Sequence, residues 1–162
     1  MDATVNDKIT EVEKLRINEK KWSKTLMDAG WTVIPSVFIE RQAAFGLDAI
    51  DMNIIVHLAH YWWHPDKLPY PSIKTIATAI GLKPRAVQKR LRALQASNFI
   101  ECHERKLASN TNDTNVYSFK GLIAAARPYA EEILAKKAEA IENKKKRLAS
   151  KKPKLVVNNA DN

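Results

Sequence analysis

The chain has 162 residues, of which 45% are hydrophobic and 28% charged, and its formal net charge is +9 at pH 7. This composition is typical of a folded protein with one modest core, and the length favours a single domain with helical extensions. The single cysteine, Cys102, excludes an internal disulfide framework. No apolar run reaches the roughly 20 residues of a membrane-spanning helix, and MDATVNDKIT lacks a secretion signal's apolar stretch, so a cytoplasmic protein is predicted.

The positive charge is concentrated in two parts of the chain. Residues 73–100 hold six basic residues and no acidic one, and residues 121–162 hold ten basic residues against five acidic ones. An evenly spread excess would mainly affect solubility, whereas a focused patch indicates a polyanionic partner. Nucleic acid is therefore the leading candidate.

The N-terminal part is predicted to be mostly helical. Residues 4–28 contain no glycine or proline and predict one amphipathic helix, with a coiled coil as the weaker interpretation because the apolar repeat is not sustained. Gly30 ends it. Residues 31–34 are predicted to form a short strand or an extended arm that stops at Pro35. One or two helical turns are predicted within 36–45.

A core helix and a helix-turn-helix are predicted next. Apolar residues recur at helical spacing from Leu47 to Trp62. Ser72 is placed to cap the following helix, and Gly81 to close it. Pro84 suits the first position of another helix, and so short a Gly-containing link between two helices is typical of a helix-turn-helix.

The remaining chain predicts a wing and a further helix. Residues 99–105 and 116–119 have the composition of strands, and the polar stretch between them is rich in turn formers. Apolar periodicity returns after Gly121, and a helix is predicted to restart at Pro128. The basic end of the chain, residues 144–162, loses periodicity and is predicted to be disordered.

The predicted fold is mainly α with one small β-hairpin, that is, a winged helix-turn-helix with helical extensions at both ends. The expected parts are an N-terminal helical extension (1–29), the winged helix-turn-helix domain (30–120), a C-terminal helix (121–149) and a basic tail (150–162). The tail is expected to add nonspecific DNA affinity, with RNA contact or solubilisation as alternatives.

The second helix of the helix-turn-helix, about residues 84–97, carries a basic stripe opposite an apolar line. At 100° per residue, Val87, Leu91 and Leu94 define the buried direction, and the polar face lies opposite. Such a helix fits the major groove of DNA, where Arg can bind guanine edges and Gln can pair with adenine. Base reading is predicted for Arg85, Gln88 and Lys89, near the N-terminal end of the helix. Phosphate contacts are predicted for Lys74, Lys83, Arg92, Arg105 and Lys106.

A basic face opposite a core is often only a solvated surface. Solvated faces usually mix both signs of charge, whereas no acidic residue interrupts 73–100. The basic residues also lie on the helix that this motif presents outward. Contact with DNA is therefore favoured, and with it a location at the nucleoid.

The segment PSIKTIATAIGLKPRAVQKRLRALQASNFIE resembles bacterial helix-turn-helix proteins related to plasmid and phage replication initiators and to small regulators. The resemblance covers about residues 30–120 and implies a winged helix that binds DNA. The chain departs from the family pattern at Lys83, Ala86 and Asn98, where the family has a Ser cap, a Thr and a Gly. These changes imply a weaker cap and one phosphate contact fewer, while Asn tolerates the left-handed conformation that Gly would supply.

No metal, cofactor or catalytic site is predicted. His57, His60 and His64 are spaced along one side of the core helix, but no CxxC pair and no carboxylate at a ligand spacing accompanies them. Cys102 and His103 lie elsewhere in the chain. Phosphate-binding Gly-rich loops and Ser-His-Asp arrangements are absent from the sequence, so neither an enzyme nor a small-molecule substrate is expected.

Val56 and Trp63 point away from the core line, whereas Trp62 is predicted to pack inside. The N-terminal helix, the C-terminal helix or a second subunit would have to cover them. A homodimer is favoured, because many helix-turn-helix proteins read two half-sites.

The sequence thus predicts a sequence-specific protein that binds double-stranded DNA, either a bacterial transcriptional regulator or a regulatory protein of a plasmid or mobile element. The alternative is a winged helix that binds protein within a replication-initiation assembly. RNA binding through exposed aromatic residues is a third hypothesis.

Overall fold

The computed structural model describes residues 10–104 and 114–150. This part of the chain contains helices α1 (Glu11–Trp22), α2 (Lys24–Asp28), α3 (Ser36–Glu40), α4 (Ala49–His60), α5 (Ile73–Ile80), α6 (Pro84–Ala96) and α7 (Lys120–Ser150), and strands β1 (Glu101–His103) and β2 (Val116–Ser118). The strands pair antiparallel, with Cys102 opposite Tyr117. The mainly helical fold with one hairpin after a helix-turn-helix is confirmed. No described helix is both long and apolar enough to cross a bilayer.

The core lies between α4, α5, α6 and the start of α7. Ile54, Leu58, Ile76 and Val87 are completely buried there. Trp62 packs against this core, as predicted, and its ring stacks on Phe119 with centroids 5.5 Å apart.

The N-terminal extension is two helices, so the single helix predicted over 4–28 is wrong where the chain is described, and residues 4–9 lie outside the described part. The break is at Ser23, which has a φ of 76°. Its backbone N–H donates to the carbonyl of Glu19 at 2.8 Å, and its hydroxyl accepts from the N–H of Leu26 at 3.5 Å. A serine side chain can replace helical hydrogen bonds in this way, and propensity alone does not reveal where it does so.

Residues 30–35 lie in neither a helix nor a strand, so of the two predicted alternatives the structure has the arm and not the short strand. The Thr32 hydroxyl and Nδ1 of His60, in α4, are 3.1 Å apart and connected by a hydrogen bond. A segment with strand-like composition forms a strand only when another strand lies beside it to pair with. The only sheet among the described residues consists of β1 and β2, so the arm has no strand to pair with.

Helix α7 runs without interruption through Pro128, so the predicted restart at that residue is wrong. The helix also includes residues 144–150, so the disorder predicted for the basic end is wrong there, and residues 151–162 lie outside the described part. Pro128 is exposed, and on that side of the helix a carbonyl that loses its partner can bind water. Contacts near Pro128 hold the helix to the body: the rings of Phe45 and Tyr129 have centroids 5.1 Å apart, and Arg41 is 3.5 Å from Glu132.

The start of α7 lies against the end of α6. A Cβ atom on Gly121 would be 1.6 Å from the carbonyl oxygen of Asn98. The N–H of Leu122 donates to the carbonyl of Phe99 at 3.0 Å. Asn98 has a φ of 56°, so the left-handed conformation expected of it is confirmed.

Asp48 joins the core helix to α6. Its carboxylate accepts hydrogen bonds from the N–H groups of Ile50 and Asp51, both at 2.9 Å, and lies 2.6 Å from Nη1 of Arg90. The hydrogen bond from the Asp51 backbone and the nearby Arg90 guanidinium hold the pKa of the Asp48 carboxyl below its usual value of 3.8.

Asp48→Ala should lower the free energy of unfolding by about 1 kcal/mol at neutral pH, since it removes an N-cap. Because the pKa is lowered in the folded state, this stabilisation is fully present well above the unfolded-state value of 3.8 and is lost as the pH falls through the lower folded-state value. Urea unfolding at pH 7 and at acid pH measures the difference. Asp66→Ala, at an exposed loop position, is the control, and an equal loss there would contradict the assignment.

Candidate nucleic-acid interface

The helix-turn-helix of α5 and α6 is built by local capping signals. The Ser72 hydroxyl accepts from the Thr75 N–H at 3.0 Å. Gly81 ends α5 with a φ of 71°, and Pro84 occupies the start of α6. Lys83, at the N-cap of α6, makes no side-chain capping bond. Each of these features agrees with the prediction.

The rotation of α6 about its axis is fixed by three buried residues. Val87, Leu91 and Leu94 have exposures of 0%, 5% and 3%. The opposite face of α6 is therefore turned to solvent, because a helix that buries one stripe exposes the other. The exposed residues on α6 include Arg85, Gln88, Lys89 and Arg92.

A groove with a volume of about 900 Å³ lies between the start of α5 and this outer face of α6. We refer to it as the α5–α6 groove. It is lined by Ile73, Lys74, Pro84, Arg85, Gln88, Lys89 and Arg92. The groove thus brings together all three residues predicted to read bases and two of those predicted to contact phosphate, and none of its lining residues is acidic.

The other predicted phosphate contacts lie apart from this groove. Lys83 is exposed at the turn before α6 and does not line the groove. Arg105 and Lys106 lie outside the described residues.

Arg90 is the one basic residue of α6 that faces a different way. Its Nη1 is 2.6 Å from Asp48 and 3.5 Å from Asp51. The helical rotation already places Arg90 only 60° from the buried Val87, which separates it from the basic stripe. The N-cap of α4, Asp48, and its first turn, through Asp51, supply the acidic partners that 73–100 lacks, and they pair with Arg90 away from the groove.

Residues 46–100 match the family model described as a helix-turn-helix domain. That span contains α4, the capped α5, the turn and the whole of α6. Within this span, α5, the turn and α6 form a helix-turn-helix.

Among solved structures, the chain is similar to the N-terminal domain of the DnaD protein from Geobacillus kaustophilus, with a TM-score of 0.50 and 15% identity over 74% of this chain and 96% of that chain. It is less similar to a possible transcriptional regulator from Methanosarcina mazei (TM-score 0.39, 16% identity, covering 65% and 82%). The transcriptional regulator PA3341 gives the same TM-score of 0.39, with 16% identity over 85% of this chain and 94% of that chain. At such identity the likeness to the DnaD domain concerns the fold alone. No curated protein sequence matches the chain.

The base of the wing is fastened beside the helix-turn-helix domain. The Tyr117 N–H, in β2, donates to the carbonyl of Pro69 at 2.9 Å, just before α5. Tyr117 is only 2% exposed, and burial raises the pKa of its hydroxyl to about 12. Burial likewise raises the pKa of the Cys102 thiol on the paired strand.

The histidines of α4 and the loop after it make ordinary local contacts. His57 Nδ1 is 2.8 Å from the carbonyl oxygen of Asn53, and the His60 ring lies edge-on to Tyr61 and Trp63. Within 10–104 and 114–150, no three His, Cys, Asp or Glu side chains are grouped so that they could hold a metal ion.

Val56 and Trp63 keep exposures of 37% and 58% beside the helix-turn-helix domain. Their outward direction agrees with the prediction. Neither α1 nor α7 buries them, and the arm only borders Trp63 through Trp31, Thr32 and Val33.

Proposed function

We propose that this chain is a sequence-specific protein that binds double-stranded DNA with α6 in the major groove. It would serve as a bacterial transcriptional regulator or as a regulatory protein of a plasmid or mobile element. The observation that carries the proposal is the α5–α6 groove, where exposed Lys and Arg side chains surround one amide and no acidic residue takes part. A one-signed concave surface attracts a polyanion, and phosphate neutralisation supplies much of the affinity of such proteins.

The position of each side chain along α6 suggests a division of labour. Arg85, Gln88 and Lys89 lie in the N-terminal half of the helix, the part that approaches base edges in helix-turn-helix complexes. Arg92 lies further along, and Lys74 reaches the groove from α5, so both are assigned to phosphate. Lys83, at the turn, is assigned to phosphate as well.

The proposal includes a homodimer that reads two half-sites and a location with the chromosomal DNA. The basic C-terminal region would add nonspecific affinity through counterion release. Chemistry on a substrate forms no part of the proposed role.

The deciding experiment is binding of the full chain to a randomised DNA duplex pool, followed by fluorescence anisotropy at several salt concentrations and by sequencing of the retained DNA. We expect salt-sensitive binding and enrichment of one motif. Salt-sensitive binding without a motif would contradict sequence reading. No binding at low salt would overturn the proposal and favour the alternative, a winged helix that binds protein.

Arg85→Ala should weaken binding to the enriched sequence by about 1–3 kcal/mol and relax the preference at one base pair. The reason is that Arg85 lies at the start of α6, exposed on the groove side. The measurement is the same selection repeated with the variant. A uniform weakening across all sequences would instead identify Arg85 as a phosphate contact.

A further inference from the structure

The second half of α7 extends away from the body of the protein. The ion pair between Arg41 and Glu132 joins this helix to the body, and Ile133 is half-buried. Every residue from 134 to 149 is exposed. At 1.5 Å per residue this exposed segment is about 24 Å long.

The exposed segment carries an apolar stripe that an isolated surface helix would not need. Leu134, Ile141 and Leu148 are spaced by seven residues and are 65%, 57% and 59% exposed. Ala138 and Lys145 fall between them at the complementary positions of the same repeat. Apolar side chains at this spacing match the d positions of a two-stranded coiled coil, and a single Lys at an a position is a known device for fixing register.

The stripe is continuous with an apolar cleft of the body. Ile123 and Ala130 lie on the same face of α7 at helical spacing from Leu134. Together with residues such as Trp62 and Phe119 they line a cleft of about 340 Å³. The uncovered apolar surface therefore runs from the cleft to the end of the helix.

Charges on the two sides of the stripe identify what can cover it. Lys137 lies on one flank, and Glu142, five residues later, lies on the other. In two parallel copies related by a twofold axis along the helices, the basic flank of each faces the acidic flank of the other, and this spacing places Lys137 opposite the partner copy's Glu142. In an antiparallel pair, like flanks would meet.

We infer that α7 pairs in parallel with the α7 of a second copy of this chain. This names the interface of the proposed homodimer and rests on the proposed function only for its purpose, which is to hold two α6 helices on one DNA. Parallel pairing puts both helix-turn-helix domains at the same end of the coiled coil. The interface itself can be tested without DNA.

The first test is sedimentation velocity of the full chain over a concentration series. Ile141→Glu should raise the dimer dissociation constant by about 100-fold or more, since it places a charge in the seam. Ala140→Glu adds the same side chain outside the stripe and should leave the constant unchanged. Equal effects of the two substitutions, or a wild-type chain that stays monomeric at all concentrations, would overturn the inference.

A charge exchange tests the orientation. Lys137→Glu and Glu142→Lys should each weaken the dimer by about threefold to tenfold, because each opposes like charges across the seam. The double variant, with both charges exchanged, should recover most of the loss. Additive losses would contradict parallel pairing.

Cross-linking gives a readout that does not depend on affinity. In a Cys102→Ser background, Leu148→Cys should form an intermolecular disulfide under mild oxidation, because the same d position of two parallel copies meets itself. Ala140→Cys, off the stripe, should not. Leu15 is a 41% exposed residue of α1. If Leu148→Cys gives no cross-link, and the dimer persists in Ile141→Glu but is lost in Leu15→Glu, the interface lies on α1 and the inference is overturned. An Ile141→Glu variant that is monomeric and binds DNA only weakly supports the inference. A wild-type chain that forms the dimer but does not bind DNA would contradict the proposed function and leave the inference intact.

Discussion

Gly121→Ala is expected to lower the free energy of unfolding by about 3 kcal/mol or more. The added Cβ would lie 1.6 Å from the carbonyl oxygen of Asn98, and backbone cannot yield as a flexible side chain can. The start of α7 would have to move away, which breaks the 3.0 Å hydrogen bond from Leu122 to Phe99 and exposes Leu122, now only 1% exposed. Urea unfolding followed by circular dichroism measures the change.

Gly81→Ala is the control for this prediction, because it tests conformation without contact. Gly81 has a φ of 71°, but a Cβ there would meet no atom within 4 Å. We therefore expect a loss of only about 1 kcal/mol, the cost of a left-handed alanine. A Gly121→Ala variant as stable as Gly81→Ala would show that α7 does not approach Asn98 as closely as described.

Replacing Lys74 and Arg92 together with glutamine is expected to weaken DNA binding by roughly 10- to 100-fold at 0.1 M salt. Both residues line the α5–α6 groove and are exposed. If each releases about one counterion on binding, the slope of log affinity against log salt concentration should fall by about 2, while the preferred sequence stays the same. Anisotropy titrations at several salt concentrations provide both quantities.

Arg90→Gln is the matched control on the same helix. Arg90 is already paired with Asp48 at 2.6 Å and does not line the groove. Its loss should leave the salt slope unchanged and should reduce the stability of the fold instead. A slope that falls as much for Arg90→Gln as for Arg92→Gln would contradict the separation between the groove and the charges behind it.

The sequence predicts this fold best where local chemistry decides the structure. Ser72, Gly81 and Pro84 delimit the helix-turn-helix through caps and backbone preferences that act within a few residues. Val87 and its apolar neighbours set the rotation of α6, and that rotation predicts which side chains meet in the groove. Both kinds of signal can be read from a short window of sequence, so the predictions for this region agree with the structure.

The differences arise where a side-chain hydrogen bond or a distant contact decides the structure. Ser23 breaks a segment that propensity predicts to be one helix, and Pro128 stays inside a helix that contacts with the body hold together. Helical rotation separates Arg90 from the basic stripe, but nothing local identifies its acidic partners, Asp48 and Asp51, which lie about 40 residues away in the sequence. The close packing of Gly121 on Asn98 has no local signature at all, since an ordinary helical glycine would look the same in sequence.

The backbone hydrogen bond from Tyr117 to Pro69 lowers the entropy that the protein would lose on binding a partner. It fixes the base of the hairpin relative to the loop that leads into α5, at 2.9 Å and in a buried setting. Binding often loses free energy because loops must become ordered as the complex forms. Here the strand and the helix-turn-helix domain are already one body before any partner arrives, so this part of the ordering is completed during folding.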